Sequence, residues 1–338
     1  MEKRIFIFFL FMLMALTCSL QIFASTTIRP IATYSIVALD KETGQMGVAV
    51  QSHWFSAGSS VPWIEPGVGA VATQSFVKVD YGPDGLKLMK QGKTAEEALR
   101  KLIKADENEA VRQVAIIDIH GNVAVHTGKD CIPEAGHIAG KGYSCQANLM
   151  LKDTVWKVMA EAYENTPGEL VERLLAALEA AQSEGGDIRG KQSAAIMVAH
   201  IGETERWWEG ILYNLRVEDH PEPVSELKRL VNLNQAYNHM NRGDELLTEN
   251  KINEAMEAYT KAMNMYPGNA EMIFWPAVTL AATGKVNESL PLFEKVFALD
   301  SNWAVLVQRL PGVGQLPDDD ELIKKILSVV PKKEDSQN

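Results

Sequence analysis

The stretch that decides the fold runs Ala32-Thr33-Tyr34-Ser35-Ile36-Val37-Ala38-Leu39-Asp40. It is rich in small and β-branched residues, which predicts a buried strand from Thr33 to Leu39. A turn through Asp40-Lys41-Glu42-Thr43-Gly44 follows, and Met46-Gly47-Val48-Ala49-Val50-Gln51-Ser52 has the pattern of a second strand. The sequence therefore predicts a β-hairpin whose first strand opens at Thr33.

Thr33 carries two groups that catalysis can use if the chain is cut just before it. The hydroxyl alone is a weak nucleophile. A free α-amine on the same residue has an ordinary pKa of about 7.7 to 8.0, so it can remove the hydroxyl proton near neutral pH. One residue would then supply both nucleophile and base. The alternative is that Thr33 is only a β-branched strand residue.

Residues 1–24 have the pattern of a secretory signal peptide. Two basic residues, Lys3 and Arg4, precede a nearly unbroken apolar run from Ile5 to Leu16, and Ala24 fits the end of a cleavage region. We therefore expect an exported protein, periplasmic or extracellular. The alternative is an uncleaved membrane anchor, because the apolar stretch extends as far as Phe23.

Cleavage after Ala24 would leave residues 25–32 attached as a short extension or pro-segment. Thr33 would then have no free amine. A cut after Ala32, for example by self-processing, would expose it. Pro30 lies at the third position before that cut and is unfavourable for signal peptidase.

Length and charge limit the remaining possibilities. The chain has 338 residues, 46% of them hydrophobic, and a formal net charge of -11. The length predicts two domains. The acidic balance argues against nucleic acid as a partner, since its phosphates are bound by basic surfaces. The seven His residues lack the spacing of a zinc site, so we expect no metal and no other cofactor.

Two cysteines, Cys131 and Cys145, remain after the signal is removed. An exported protein meets an oxidising environment, which makes this pair a candidate disulfide. The alternative is a pair of buried free thiols, because the two positions need not lie close in space.

The elements after the hairpin come in blocks of one type. The predicted strands are 68–74, 111–119, 123–127, 193–200 and 210–217. The predicted helices are 85–90, 95–105, 152–165 and 168–183. Thr94 and Glu97 have the spacing of a capping box before the second helix. Strands, then paired helices, then strands again indicate sheets packed between helix layers rather than alternating βαβ units.

The tail from about residue 223 to 330 is helical and repetitive. Lys251-Ile252-Asn253-Glu254-Ala255 recurs as Lys285-Val286-Asn287-Glu288-Ser289, at an offset of 34 residues. That offset is the period of tetratricopeptide repeats, so the tail resembles a pair of them. We expect a final helix from Asp320 to Val329 and a disordered tail at 331–338.

Several motifs between residues 33 and 230 together resemble a known family. They are Thr33-Tyr34-Ser35-Ile36-Val37-Ala38, Gly69-Ala70-Val71-Ala72-Thr73-Gln74, Tyr81-Gly82-Pro83, His126-Thr127-Gly128, Ala135-Gly136-His137, Gln146-Ala147-Asn148, Gly186-Asp187-Ile188-Arg189-Gly190-Lys191-Gln192-Ser193-Ala194-Ala195 and Leu215-Arg216-Val217-Glu218-Asp219-His220-Pro221. This is a bacterial family of unknown function, assigned to the N-terminal nucleophile (Ntn) hydrolase superfamily.

The resemblance implies an α+β fold for residues 33–222, a four-layer αββα sandwich. The tetratricopeptide-like domain indicated by the 34-residue offset would follow it. It implies hydrolysis of an amide bond by the residue that opens the first strand. The site residues it implies are Thr33 and Asn148 as catalytic groups, and His53, Gln74, His126, Asp187, Arg189 and Gln192 as substrate-binding groups.

Three of these assignments have structural alternatives. Asn148, expected in a loop, would donate to an oxyanion, or it would cap the helix expected near residue 152. Asp187 and Arg189 would clamp a substrate, or they would form a structural ion pair. His126 would line the pocket, or it would only satisfy backbone groups.

The sequence thus favours an exported amidohydrolase that acts on a small amide or peptide. Such folds often assemble, so we expect a homo-oligomer. The alternative is a non-catalytic binding or scaffold protein, which recruits a protein partner through residues 238–303 of the repetitive tail.

Overall fold

The computed structural model describes residues 33–331. The predicted signal peptide, the extension at 25–32 and the tail beyond 331 lie outside the described residues. The chain divides into two compact units, with the boundary between Val224 and Ser225.

The first unit contains a six-stranded antiparallel sheet built around the N-terminal hairpin. Its strands are β1 (Thr33–Asp40), β2 (Gln45–Ser52), β7 (Gly136–Gly140), β8 (Tyr143–Asn148), β9 (Ser193–His200) and β10 (Ile211–Val217). They lie in the order β10-β9-β2-β1-β8-β7, so β1 is an inner strand. The predicted hairpin is confirmed, with β1 and β2 paired in register from Thr33 and Ser52 to Asp40 and Gln45.

A second, four-stranded antiparallel sheet completes the strands of this unit. It contains β3 (Pro62–Glu65), β4 (Gly69–Ser75), β5 (Arg112–Asp118) and β6 (Val123–Thr127), in that spatial order. The unit is therefore a mixed fold of helices with two antiparallel sheets.

Four helices of the first unit pack on these sheets. They are α1 (Tyr81–Lys90), α2 (Ala95–Lys104), α3 (Val155–Asn165) and α4 (Leu170–Ser183). Helices α1 and α2 contact the four-stranded sheet, whereas α3 and α4 contact the six-stranded one. The predicted capping box at the start of α2 is confirmed, since the Thr94 hydroxyl accepts from the Glu97 amide and the Glu97 carboxylate accepts from the Thr94 amide.

Side chains alternate between the two faces of each strand, so the first unit has one apolar core between its sheets and another between the second sheet and its helices. Val37 and Leu39 of β1 pack with residues of β4 and β5, such as Ala72 and Ile117, so the two sheets share one apolar core. The oppositely directed side chains of β4 and β5 pack instead against α1 and α2; they include Val71, Val114 and Ile116. Because side chains in a strand alternate between its faces, odd-numbered residues of β1 face the second sheet.

The second unit is helical. Its helices are α5 (Pro223–Thr248), α6 (Ile252–Met265), α7 (Ala270–Ala282), α8 (Val286–Leu299), α9 (Asn302–Val307) and α10 (Asp320–Leu327). Helix α8 begins 34 residues after α6 begins and has the same length of 14 residues. A Cβ atom at Gly243 would lie 2.3 Å from the Tyr259 ring, so glycine allows α5 to approach α6 closely. Within residues 33–331, no helix has the length and apolar character needed to span a bilayer.

Three strands were not predicted: β3, β7 and β8. The segment expected to form a loop around Asn148 is strand β8, and α3 begins only at Val155, preceded by Thr154. The alternative in which Asn148 caps a helix is therefore wrong. The physical reason is that β8 contains no β-branched residue and turns the polar half of its alternating pattern inward, namely Ser144, Gln146 and Asn148.

Candidate active site

Thr33 lies in a row of polar residues that crosses four neighbouring strands. It is paired with Ser52 on one side and with Asn148 on the other, and Ser52 is paired in turn with Ser193. All four residues are fully buried. The protein interior is therefore polar at this end of the six-stranded sheet.

The side chain of Thr33 faces the second sheet, because it has the parity of Val37 and Leu39. Its hydroxyl donates to the Ser52 hydroxyl at 3.1 Å. Its backbone carbonyl accepts from the side-chain amide of Gln74 at 3.2 Å and from that of Asn148 at 3.5 Å. These contacts hold both the hydroxyl and the backbone of Thr33 in place.

We call the surrounding group the inter-sheet cluster. It joins the two sheets through buried neutral side chains: Thr33, Ser35, Ser52, Gln74, Gln113, Ser144, Gln146 and Asn148. Each is fully buried, and none carries a charge at neutral pH. A catalytic group at Thr33 would therefore work in a polar but uncharged interior, where hydrogen bonds are stronger than in water.

Gln113 of β5 is the hub of the inter-sheet cluster. Its amide nitrogen donates to the backbone carbonyls of Ala147, at 2.9 Å, and Gly136, at 3.2 Å. Its amide oxygen accepts from Gln74 at 2.7 Å and from Asn148 at 3.0 Å. Since backbone carbonyls can only accept, they fix which end of the Gln113 amide is the nitrogen.

A chain of hydrogen bonds then runs along the cluster. Ser144 donates to the Gln146 oxygen at 2.9 Å, and the Gln146 nitrogen donates to Ser35 at 2.6 Å. Ser35 donates to the Gln74 oxygen, also at 2.6 Å. This chain links two strands of the first sheet to β4 of the second, so it ties the sheets together next to Thr33.

Asp187 and Arg189 lie in the loop before β9 and form an ion pair. The Asp187 carboxylate accepts from the backbone amides of His53, at 3.0 Å, and Arg189, at 2.9 Å. It also accepts from the Arg189 guanidinium at 2.9 and 3.1 Å. The Asp187 side chain is fully buried. These contacts favour the structural alternative for this pair, since they fasten the loop to the end of β2.

The Asp187 carboxylate also affects Tyr34, whose side chain lies on the other face of β1. Tyr34 is fully buried there, and its hydroxyl donates to the Gln182 oxygen at 3.1 Å. Burial, and to a smaller extent the negative charge of Asp187, raises the pKa of Tyr34 well above its ordinary value. Tyr34 therefore stays protonated and serves as a donor between β1 and α4.

Of the six predicted substrate-binding residues, only Gln74 belongs to the inter-sheet cluster; His53, Asp187 and Arg189 lie at the end of β2 and in the loop before β9, and His126 and Gln192 lie elsewhere. His126 is paired with Val114, whose side chain packs against the helices, so it lies on the opposite face of its sheet from Thr33. Its ring contacts the Glu109 carbonyl at 2.9 Å and carboxylate at 3.0 Å. Gln192 donates to Asp219 at 3.2 Å near the surface. Of the predicted set, Thr33, Gln74 and Asn148 come together.

The family model of a "family of unknown function (DUF1028)" matches residues 33–227. This span is more than half of the chain. The chain belongs to the DUF1028 family. Among solved structures, it resembles protein SPO2555 from Silicibacter pomeroyi, a DUF1028 protein, at 28% identity and a TM-score of 0.53, over 59% of this chain and 88% of that one.

A second similarity is much weaker. Anbu (ancestral beta-subunit) from Yersinia bercovieri shares 14% identity at a TM-score of 0.29, over 58% of this chain and 92% of that one. At that score the similarity carries no conclusion about fold. No curated protein matches the sequence.

The candidate disulfide of the DUF1028 domain is not formed. Cys131 and Cys145 are both free and buried. Cys145 lies on β8 with the parity that faces away from the second sheet, whereas the Cys131 thiol donates to the Arg112 carbonyl of that second sheet at 3.4 Å. The prediction fails because the two thiols lie in different layers. Burial raises the pKa of the Cys145 thiol well above its ordinary value, with a smaller contribution from Glu164.

Other features of the DUF1028 domain lie away from Thr33. A cleft of about 930 Å³ is lined by Glu65, Lys90, Asp118 and Trp207 among others. Asp118 is paired with Gly69, at the end of β4 that is distant from Gln74, and no lining residue belongs to the inter-sheet cluster. Within the described part of the chain, no three His, Cys, Asp or Glu side chains are placed to hold a metal ion.

Sequence reasoning missed most of the inter-sheet cluster. Ser35, Ser52, Gln113, Ser144 and Gln146 were not among the predicted site residues. Their signal was nevertheless present, because each is a polar residue at a strand position whose parity points inward. Polar residues at buried strand positions need partners, so a group of them predicts a polar core or a site.

Proposed function

We propose that this protein is an exported Ntn-type amidohydrolase in which Thr33 is the nucleophile. The observation that carries the proposal is the place of Thr33: it opens an inner strand between two facing sheets, within the buried neutral cluster. A hydroxyl there is shielded from water and held by Ser52. An amide substrate, a small amide or a peptide, would supply the carbonyl.

The proposed fold is the αββα sandwich of the Ntn hydrolases. Support comes from the packing of α1 and α2 on one sheet, of α3 and α4 on the other, and from the apolar core that the sheets share. The family itself has no assigned function, so membership does not supply the reaction.

The proposed reaction needs a chain that starts at Thr33. The α-amine takes the hydroxyl proton as Oγ1 attacks the substrate carbonyl. The tetrahedral intermediate collapses to an ester on Thr33, and the proton passes from the amine to the departing nitrogen. Water then adds to the ester with the amine again as base, which releases the acid and restores the hydroxyl. Each step conserves protons, and no cofactor takes part.

The oxyanion role of Asn148 fits the structure less well. Its Nδ2 group already donates to the Gln113 oxygen and lies 3.5 Å from the Thr33 carbonyl oxygen. Gln74 is committed in the same way to Thr33 and Gln113. An amide that donates to an oxyanion would first have to leave these acceptors.

A covalent probe tests this proposal without a known substrate. A β-lactone carries a strained acyl group that a threonine hydroxyl opens to an ester. We expect one acyl adduct per chain on Thr33 in protein that begins at Thr33, and none in the Thr33→Ala variant. Intact mass and peptide mapping measure both. Acylation at other residues with Thr33 unmodified would contradict the proposal.

The second unit favours an additional, binding function. Helices α6 and α8 have equal length and start 34 residues apart, and both lie outside the residues that match the family. We infer a tetratricopeptide-like pair that recruits a protein partner through residues 238–303. Co-purification of a specific partner should be lost when this segment is removed. Amide turnover that is independent of any partner would leave the catalytic proposal in place and make recruitment unnecessary for it.

A further inference from the structure

Asn148 presents a buried acceptor without a donor, directly beside Thr33. Its Oδ1 atom is inaccessible to solvent and has no hydrogen-bond partner among the described residues. The other amide oxygens of the inter-sheet cluster are satisfied: Gln74 by Ser35, Gln113 by Gln74 and Asn148, and Gln146 by Ser144. Within this cluster, Asn148 thus has the one side-chain amide oxygen that accepts no hydrogen bond from a described residue.

The orientation of the Asn148 amide follows from its neighbours. Gln113 must turn its nitrogen toward the carbonyls of Ala147 and Gly136, so its oxygen faces Asn148. Asn148 must then present its nitrogen to that oxygen, at 3.0 Å. Rotating the Asn148 amide would place two oxygens against each other. The unpartnered atom is therefore the oxygen, and a different rotamer of the amide does not remove the problem.

An unpartnered buried acceptor keeps its full desolvation penalty, so a donor is expected at this position in the working protein. Asn148 and Thr33 are directly paired in register, and the Asn148 amide nitrogen lies 3.5 Å from the Thr33 carbonyl oxygen. Cleavage before Thr33 creates new donors at this point, because a free amine has more N–H groups than the peptide nitrogen it replaces.

We propose that Asn148 Oδ1 accepts a hydrogen bond from the α-amine of a chain that begins at Thr33, and so orients the amine lone pair toward Thr33 Oγ1. The inference rests on the proposed function. Asn148 is then a positioning residue that acts as an acceptor, which is the reverse of the donor role expected of an oxyanion group.

A neutral acceptor suits this role better than a carboxylate would. An opposite charge within about 4–6 Å raises the pKa of a basic group by roughly 1–3 units, which would keep the amine protonated at neutral pH. The inter-sheet cluster contains no charged side chain. The charged groups on the loop packed against the end of β2 are Asp187 and Arg189; the Asp187 carboxylate accepts from the His53 amide, next to Ser52, and is neutralised by its ion pair with the Arg189 guanidinium. The amine can therefore lose its proton near neutral pH and accept the one from the hydroxyl.

The test is a titration of the Thr33 α-amine, which needs no substrate. A chain that begins at Thr33 contains every residue that the structure describes. With ¹⁵N-labelled threonine, the amine gives its own NMR signal, and its shift against pH reports its pKa. In Asn148→Asp we expect that pKa to rise by at least about 1 unit, because the acceptor is kept and gains a charge. In Asn148→Leu, which removes the acceptor, we expect it to fall.

The matched control is Gln146→Glu, the same change of charge on the same face of β8 but opposite Ser35 instead of Thr33. Its effect on the amine should be clearly smaller. Equal pKa values in the wild type, Asn148→Asp and Asn148→Leu would overturn the inference, as would equal shifts in Asn148→Asp and Gln146→Glu. If Asn148→Asp does not fold, Asn148→Leu alone decides: a lower pKa of the Thr33 amine supports the inference, and an unchanged pKa overturns it. Failure of the proposed function would appear separately, as a mature protein that does not begin at Thr33.

Discussion

Replacing Thr33 by Ala is expected to lower the turnover of an amide substrate by roughly 10⁴-fold or more, the loss typical when a catalytic nucleophile is removed. The physical reason is that both the attack and the ester intermediate require Oγ1. The measurement is kcat/KM for any amide substrate that the wild type hydrolyses, with protein that begins at Thr33 in both cases.

Thr33→Ser is the matched variant, because it keeps the hydroxyl and removes only a methyl group. It should retain much of the activity. Thr33→Ala also loses the hydrogen bond to Ser52, which should cost only about 1 kcal/mol of stability. The expected fall in kcat/KM is therefore far larger than the small loss of stability can explain. Turnover by Thr33→Ala within about tenfold of the wild type would contradict the assignment.

Replacing Gln113 by Leu is expected to destabilise the first unit by about 3–5 kcal/mol, the largest effect on stability that we anticipate for a single substitution. Leucine has a similar volume but no polar atoms. The change leaves the amides of Gln74 and Asn148 without their shared acceptor and removes the donor to the carbonyls of Ala147 and Gly136. Each orphaned group keeps its desolvation penalty.

Thermal unfolding measures this effect, and a loss of this size should lower the midpoint by roughly 10 °C for a unit of this length. Gln192→Leu is the control, because Gln192 makes a hydrogen bond to Asp219 near the surface, outside the inter-sheet cluster. Its expected cost is at most about 0.5–1 kcal/mol. Similar midpoints for Gln113→Leu and Gln192→Leu would show that the cluster does not hold the sheets together.

Much of the fold was accessible from local patterns. The first hairpin and β9 were predicted from runs of small and β-branched residues, and the capping box placed the start of α2 correctly. Helix α1 starts four residues earlier than predicted, at Tyr81, because Tyr81-Gly82-Pro83 looks like a turn although proline is tolerated in the first turn of a helix.

The candidate site was harder to predict because its residues break the rule on which strand prediction depends. The residues of β8 alternate between apolar and polar, but it is the polar ones, Ser144, Gln146 and Asn148, that face inward. Their partners, Gln74 and Gln113, lie on the second sheet and are brought close only by the packing of the sheets. His126 shows the opposite error, since a one-residue shift along β6 would place it on the inward face that Thr127 occupies.

The disulfide prediction failed for a related reason. Cys131 and Cys145 are close in sequence, but Cys131 contacts Arg112 of the second sheet, whereas Cys145 lies on β8 of the first. The number of residues between two cysteines gives the size of the loop that a disulfide would close. It does not show whether the two thiols lie in the same layer of the fold.

The measurement that tests the central claim most directly is the intact mass and N-terminal sequence of the protein recovered from its native export route. We predict a chain that begins at Thr33, with a free amine next to the hydroxyl that Ser52 holds. A chain that begins near Ser25 in fully active protein would contradict the claim, because the nitrogen of Thr33 would then be an amide and could not serve as the base.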